Sequence, residues 1–298
     1  MKDYPVHFAP LPNGETLAYR TSGAGPTVLL LHGNMSSSLH WATTIEALES
    51  SFTVYAPDLR GFGDSTYEAT FDSLLDLAHD VEAFMDVVGI GKCAVAGWST
   101  GGGVALELAA DRPEQVTSVV LVDSVPPTGY PIFRKDALGQ PIPGDLLKTK
   151  EEIAIDPVQV VPALTAYATG NREIMRAIWN AVIYNLHVPP ADDYEKYLDA
   201  IMAQRNLVDV DYALLTFNMT DQPTGSAPGS GRLGLVTSPV TILHGVQDLV
   251  VPLAWGESSL SLLGDRATMV TFADSGHSPI TDVPEEFFAA LIEGLTKG

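Results

Sequence analysis

The chain has 298 residues, 16 of them basic against 37 acidic, for a formal net charge of −21. A surface this acidic repels phosphate backbones, which argues against nucleic acid and anionic membrane surfaces as partners. No apolar run reaches membrane-spanning length, Met1-Lys2-Asp3-Tyr4-Pro5 does not read as a secretory signal, and the lone Cys93 excludes an intrachain disulfide and a cysteine zinc cluster. A soluble cytoplasmic protein is expected.

Taken in chain order, Val6 to Ala9 and Thr16 to Arg20 are strand-like and flank Asn13-Gly14, a pair suited to the positive backbone angles of a tight hairpin. Thr27 to Leu31 is an almost continuous apolar strand that ends in His32-Gly33-Asn34-Met35. Thr53 to Ala56 is the next strand, followed by a loop holding Gly61 and Gly63. Between Phe71 and Val88, the residues Leu74, Leu77, Val81, Met85 and Val88 recur at helical spacing, which predicts a helix with one face on the sheet.

Lys92 to Ala96 is strand-like and Val104 to Ala110 helix-like, and between them stands Gly97-Trp98-Ser99-Thr100-Gly101. This G-x-S-x-G pattern in a strand-to-helix turn is a nucleophile elbow, in which a strained serine is lifted clear of the sheet. A serine hydroxyl is a poor nucleophile at neutral pH, so it needs a base in reach and a third group to hold that base's tautomer.

Val119 to Val122 is a strand ending at Asp123, one candidate for the third group. From Val125 to Gly234 the alternation of strands and helices breaks down: the stretch opens with Pro126-Pro127, is helix-like around Arg172 to Ala181 and Tyr194 to Gln204, and closes on the Pro- and Gly-rich run from Pro223 to Gly231. It reads as a mostly helical lid with a flexible exit linker, and Tyr167, Trp179, Tyr184 and Phe217 serve either a substrate pocket or the lid's own core. Gly229-Ser230-Gly231-Arg232-Leu233-Gly234 matches a dinucleotide fingerprint, but it follows coil and leads into a strand, so no nicotinamide or flavin cofactor is expected, nor a metal.

Strand-like Val240 to Leu243 runs into His244-Gly245-Val246-Gln247-Asp248, and Met269 to Phe272 into Asp274-Ser275-Gly276-His277. Asp248 and His277 both fall in loops after strands, where such sheets gather their chemistry. His277 is the expected base and Asp248 the expected acid, with Asp123 as the alternative acid and Asp274 in a turn-stabilising role. Among the other histidines, His7 and His40 are read as surface or partly buried, His79 as part of an acidic helix face, His187 as part of the lid and His244 as structural. Oxyanion donors are expected from the backbone N–H groups of Thr100, after the nucleophile, and Asn34, in the loop after an early strand. Asp282-Val283-Pro284-Glu285 reads as a capped helix start.

Strands alternating with helices imply a parallel sheet covered on both faces. His32-Gly33, the run from Asp58 to Ser65, the elbow, Asp248 and Gly276-His277 follow the order seen in the α/β-hydrolase superfamily, which the chain resembles over nearly its whole length. His32 to Ser37 together with Gly97 to Gly102 is further similar to intracellular short-chain polyhydroxyalkanoate depolymerases and allied carboxylesterases. The resemblance implies an α/β fold with a mostly parallel eight-stranded sheet, a core of residues 1–125 and 235–298, and a helical cap at 126–234 inserted after strand 6. It implies a cofactor-free serine esterase acting through an acyl-enzyme on short-chain acyl esters or hydroxyalkanoate oligomers. Perhydrolases, haloperoxidases and lactonases of similar architecture are the alternative, and the oligomeric state is left open.

Overall fold

A computed structural model describes residues 1–298. Eight strands form one sheet: β1 (His7–Pro10), β2 (Thr16–Ser22), β3 (Thr27–Leu31), β4 (Thr53–Pro57), β5 (Cys93–Trp98), β6 (Val116–Val122), and, past an insert, β9 (Val240–Gly245) and β10 (Ala267–Phe272). Their order is β1-β2-β4-β3-β5-β6-β9-β10, with β1–β2 and β2–β4 antiparallel and every other pair parallel. The mostly parallel eight-stranded α/β architecture expected above is the one observed.

Side chains alternate across a strand, and the apolar run of β3 serves both faces of the sheet. Leu29 and Leu31 enter the layer under α2 (Leu74–Val88) and α3 (Thr100–Asp111), whereas Val28 and Leu30 enter the layer under α1 (Ala42–Leu48) and α11 (Pro284–Leu295). Helix α2 begins later than its periodicity suggested, because Ser73 caps it reciprocally with Asp76. Of its predicted stripe, Leu74, Leu77, Val81 and Met85 are buried, and Val88 at the helix end is half-buried.

The insert between β6 and β9 carries a hairpin of β7 (Phe133–Lys135) and β8 (Pro141–Leu146), then helices α4 (Lys150–Ala154), α5 (Val161–Thr169), α6 (Arg172–Val182), α7 (Ala191–Met202) and α8 (Leu207–Thr216). The hairpin carries no clear alternation, since most of β8 faces solvent. Both apolar layers run on into the insert. Val210, Ala213, Leu214 and Phe217 join the α2–α3 layer, and Trp179, Tyr197, Leu198 and Ile201 join the opposite one.

Three local expectations differ. Only Gly14 of the Asn13-Gly14 pair takes positive φ, at 93°, while Asn13 accepts the Glu15 N–H through its side chain. Helix α11 starts at Pro284 without a side-chain cap, and Asp282 ends a preceding short helix, α10 (Pro279–Asp282). The fingerprint-like glycines lead into a 3-10 turn at Arg232–Leu235 rather than directly into a strand; β9 begins only at Val240, and α9 (Leu253–Leu263) follows it. No helix is long and apolar enough to cross a membrane.

Candidate active site

Non-glycine residues take positive φ at three places: Met35 at 54°, Ser99 at 55° and Asp123 at 42°. They follow β3, β5 and β6, which are neighbours in the sheet. Backbone strain of this kind costs about 1–3 kcal/mol per residue and persists only where the surroundings over-determine it, so three strained turns after adjacent central strands single out this end of the sheet as the candidate site.

The middle turn holds Ser99 between β5 and α3. A Cβ at Gly97 would lie 2.2 Å from the Gly101 carbonyl oxygen, and one at Gly101 would lie 2.3 Å from that of Leu31. The close approach of strand and helix therefore requires glycine at both positions. The β3 loop closes against the same point, since a Cβ on Gly33 would stand 3.0 Å from Ser99 Cβ. The next residue, Asn34, has a backbone N–H without a hydrogen-bond partner. Thr100 opens α3, so its N–H is among the helix's unsatisfied donors, and the positive end of the helix dipole lies beside it.

His277 is buried in the loop after β10, and its Nδ1 donates to Asp248 Oδ2 at 2.7 Å. Asp248 Oδ1 accepts the backbone N–H groups of Val250 and Val251 at 2.7 and 2.9 Å. A carboxylate held in this way fixes the imidazole tautomer and leaves Nε2 as the free, basic nitrogen. Trp98 Nε1–H donates to the His277 carbonyl oxygen at 2.8 Å and so ties the histidine loop to the residue preceding Ser99. The Ser99 hydroxyl is partly exposed and makes no hydrogen bond. The structure therefore joins His277 to Asp248 and holds both beside the elbow, without a closed serine–histidine bond; such bonds are often long until substrate is bound.

Asp123 makes no bond to His277. Its Oδ1 accepts the Gly245 N–H at 2.8 Å, and its buried Oδ2 has no partner. Burial, and next the nearby Asp248 charge, push its proton affinity well above the usual carboxylate range. His244 is fully buried with Nε2 donating to the Val251 carbonyl at 2.8 Å, in keeping with a structural role. Asp274 is exposed and does not brace the His277 loop; Asp282 does, accepting the Gly276 N–H at 2.9 Å. His40, read as surface or partly buried, is fully enclosed, with its ring stacked on Tyr197 at 4.6 Å and packed near Trp98 and Trp179. His187 is exposed and lies 3.3 Å from Asp282.

Of the insert aromatics, Trp179, Tyr184 and Phe217 are buried in the layers shared with the sheet, and half-buried Tyr167 donates to Gln204 Oε1 at 3.0 Å. Trp179 meets Trp98 edge-on at 6.3 Å. Two surface cavities, of about 220 and 320 Å³, are lined by neither Ser99 nor His277. Sequence reasoning missed two polar residues of the insert, Gln204 and Asp211, whose side chains hold Asn34. They stand 170 and 177 positions away from it, so no local pattern could have paired them.

A family model described as alpha/beta hydrolase fold matches residues 26–283. The chain is 29% identical over 280 residues to a pimeloyl-[acyl-carrier protein] methyl ester esterase of Nitrosomonas europaea, covering 91% of this chain and 96% of that protein. It is 28% identical over 284 residues to a dihydrolipoyllysine-residue acetyltransferase component of an acetoin cleaving system in Cupriavidus necator, spanning 93% of this chain but only 65% of that protein's length. Among solved structures it is similar to a probable hydrolytic enzyme of Pseudomonas aeruginosa, with a TM-score of 0.73, 25% identity, and 99% and 96% of the two chains covered. It is also similar to an esterase from a Rhodococcus species, with a TM-score of 0.71 and 25% identity over 98% and 99% of the chains.

Proposed function

Since the chain belongs to the alpha/beta-hydrolase fold family, we propose that it is a serine-dependent carboxylic ester hydrolase in which Ser99, His277 and Asp248 form the triad. The observation that carries this reading is the 2.7 Å pairing of His277 Nδ1 with Asp248, anchored by Trp98 beside a serine strained at φ 55°. Esterases among the relatives and structural neighbours agree with it.

In the proposed reaction, Ser99 Oγ attacks the ester carbonyl carbon and His277 Nε2 takes its proton. Asp248 supports the resulting imidazolium, and the oxyanion is held by the Asn34 and Thr100 N–H groups. Collapse of the tetrahedral intermediate breaks the bond to the alcohol, which leaves with the proton from His277. Water, deprotonated by the same nitrogen, then releases the acid from the acyl-enzyme. Asp123 takes no part, because its carboxyl faces Gly245 rather than the base.

The substrates proposed are short-chain acyl esters or hydroxyalkanoate oligomers, with residues 126–234 acting as the cap that restricts entry. The restricted exposure of Ser99 and the burial of His277 favour small or extended substrates over bulky ones. A parallel assay on short-chain nitrophenyl esters and amorphous hydroxybutyrate granules tests this. Monomer or oligomer release selects the polymer, and activity on soluble esters alone selects a general carboxylesterase. No ester hydrolysis, together with failure of an organophosphonate to label Ser99, overturns the serine mechanism.

A further inference from the structure

The loop carrying the proposed oxyanion donor is held from outside its own strand. Asn34 Oδ1 accepts two N–H groups, that of the Met35 backbone at 2.9 Å and Gln204 Nε2 at 2.8 Å, while Asn34 Nδ2 donates to Asp211 Oδ1 at 3.1 Å. Gln204 follows α7 and Asp211 lies in α8, so both belong to the insert. Gln204 is itself buried and fixed, since its Nε2 also reaches Asn206 Oδ1 at 2.8 Å and its Oε1 accepts the Tyr167 hydroxyl at 3.0 Å. Asn206 in turn donates to the Arg60 carbonyl at 2.5 Å, which ties this chain of bonds back to the core.

The bonds converge on a peptide under strain. Met35 sits at φ 54°, a conformation a methionine adopts only when its surroundings impose it. The Asn34 side chain supplies that constraint by capturing the Met35 N–H, and Gln204 and Asp211 hold the Asn34 amide in the orientation that does so. Asp211 has no cationic partner, and Asn34 is the side chain that donates to it. Helix α8 is also packed through Val210, Ala213 and Leu214 into the same apolar layer as α2 and α3, so the anchor moves only if that layer opens.

We propose that Gln204 and Asp211 are positioning residues that act through the Asn34 side chain to hold the oxyanion loop, so that the donor pair is complete only with the α7–α8 segment docked. This rests on the serine-hydrolase reading above. The insert is then part of the catalytic frame at this point as well as a cover. A donor displaced from the developing oxyanion loses much of its effect, because the bond must be made in the transition state to a position the ground-state carbonyl oxygen does not occupy.

The test compares wild type with Asp211→Ala, Asp211→Asn, Asn34→Ala and the Asp211→Ala/Asn34→Ala double variant on a short-chain nitrophenyl ester, with melting temperatures alongside. Asp211→Ala and Asn34→Ala are expected to lower kcat about tenfold to a hundredfold with KM within about twofold, less than the roughly 100- to 1,000-fold cost of deleting an oxyanion donor, because the Asn34 N–H is displaced rather than removed. The double variant should lose no more than either single one, because one device is removed twice. Asp211→Asn keeps an oxygen that accepts from Asn34 Nδ2 and should return kcat to within about threefold. Additive losses, equal losses in Asp211→Ala and Asp211→Asn, or wild-type kcat in Asp211→Ala overturn the proposal. Should Asp211→Ala fail to fold, Gln204→Leu takes its place: wild-type kcat there, or a loss that adds to that of Asn34→Ala, overturns the proposal, and a loss confined to kcat that Asn34→Ala does not deepen supports it. If the wild-type protein hydrolyses no ester and Ser99 takes up no phosphonate, the serine mechanism falls and this inference with it; an active, labelled wild type beside undiminished variants sinks this inference only.

Discussion

Trp98 and His277 are joined by an indole N–H donating to a main-chain carbonyl at 2.8 Å, across 179 residues of sequence. The bond links the strained turn of β5 to the loop after β10, so the position of the histidine is set by the residue that precedes the serine. Trp98→Phe keeps the ring packing and removes the donor, leaving a buried carbonyl unsatisfied. A loss of about 1–3 kcal/mol of stability is expected, together with a lower kcat as the His277 loop shifts. Denaturant titration and steady-state kinetics on one ester read both effects.

Asp248 and Asp123 provide a second pair to compare. Asp248 accepts from His277 and from two backbone N–H groups, whereas Asp123 accepts from Gly245. Asp248→Asn should lower kcat/KM by about 10⁴, the scale seen when a triad acid loses its charge, and Ser99→Ala by at least as much. Asp123→Asn should leave kcat/KM within a few fold, because no reacting group touches it. A large loss in Asp123→Asn with a small one in Asp248→Asn would reverse the assignment of the acid.

Much of this arrangement was legible in the sequence because its signals are local. An apolar run of five residues ending in His32-Gly33, the elbow itself, and two post-strand loops ending at Asp248 and His277 each announce themselves within about ten residues of chain. The sheet and its α2 stripe follow from periodicity in the same way. What was illegible is what depends on distant partners. His40 lies in a stretch without helical or strand period, yet the fold buries it among Trp98, Trp179 and Tyr197. Asp282, which looked like a helix cap, instead holds the His277 loop, because the short α10 turn carries its carboxylate back to Gly276. The Asn34 anchors came from the insert, where polar residues at irregular spacing gave no sign of facing inward.

Asp211 and His40 give the folding stability opposite pH slopes. Burial, and next the Asp156 charge, push the Asp211 carboxyl up to about 7, against a bond from Asn34 that lowers it. The folded state then holds a proton there that the unfolded chain releases near pH 4, so this group favours folding at acid pH and its contribution declines as pH rises from about 4 to about 7. His40 is pushed down to about 3, mainly by burial. The unfolded chain binds a proton that folded His40 refuses, so its effect runs the other way, with stability lost as pH falls from about 6.5 toward 3. Asp211→Asn removes only the first slope. Its stability relative to wild type should rise steadily between pH 4.5 and 7 and level off above, measured as the difference in unfolding free energy across that range; a difference independent of pH sinks the claim.

Gly101 tests the geometry of the elbow without touching a reacting group. Its Cα faces the end of β3 so closely that a methyl would stand 2.3 Å from the Leu31 carbonyl oxygen and 2.6 Å from that of His32. These are backbone atoms fixed in the centre of the sheet, so relief requires α3 or β3 to move, and overpacking of this kind costs about 3 kcal/mol or more. For a chain of this length that corresponds to a fall in melting temperature on the order of 10 °C. Gly91, an exposed position where a Cβ meets nothing within 4 Å, is the matched control. Gly101→Ala should lose both stability and turnover, since the movement that relieves the clash also carries the Thr100 N–H away from the Asn34 N–H. Gly91→Ala should match wild type in both measurements. A Gly101→Ala protein that melts and turns over as wild type does would mean that strand and helix do not meet as closely as the serine's strained turn requires.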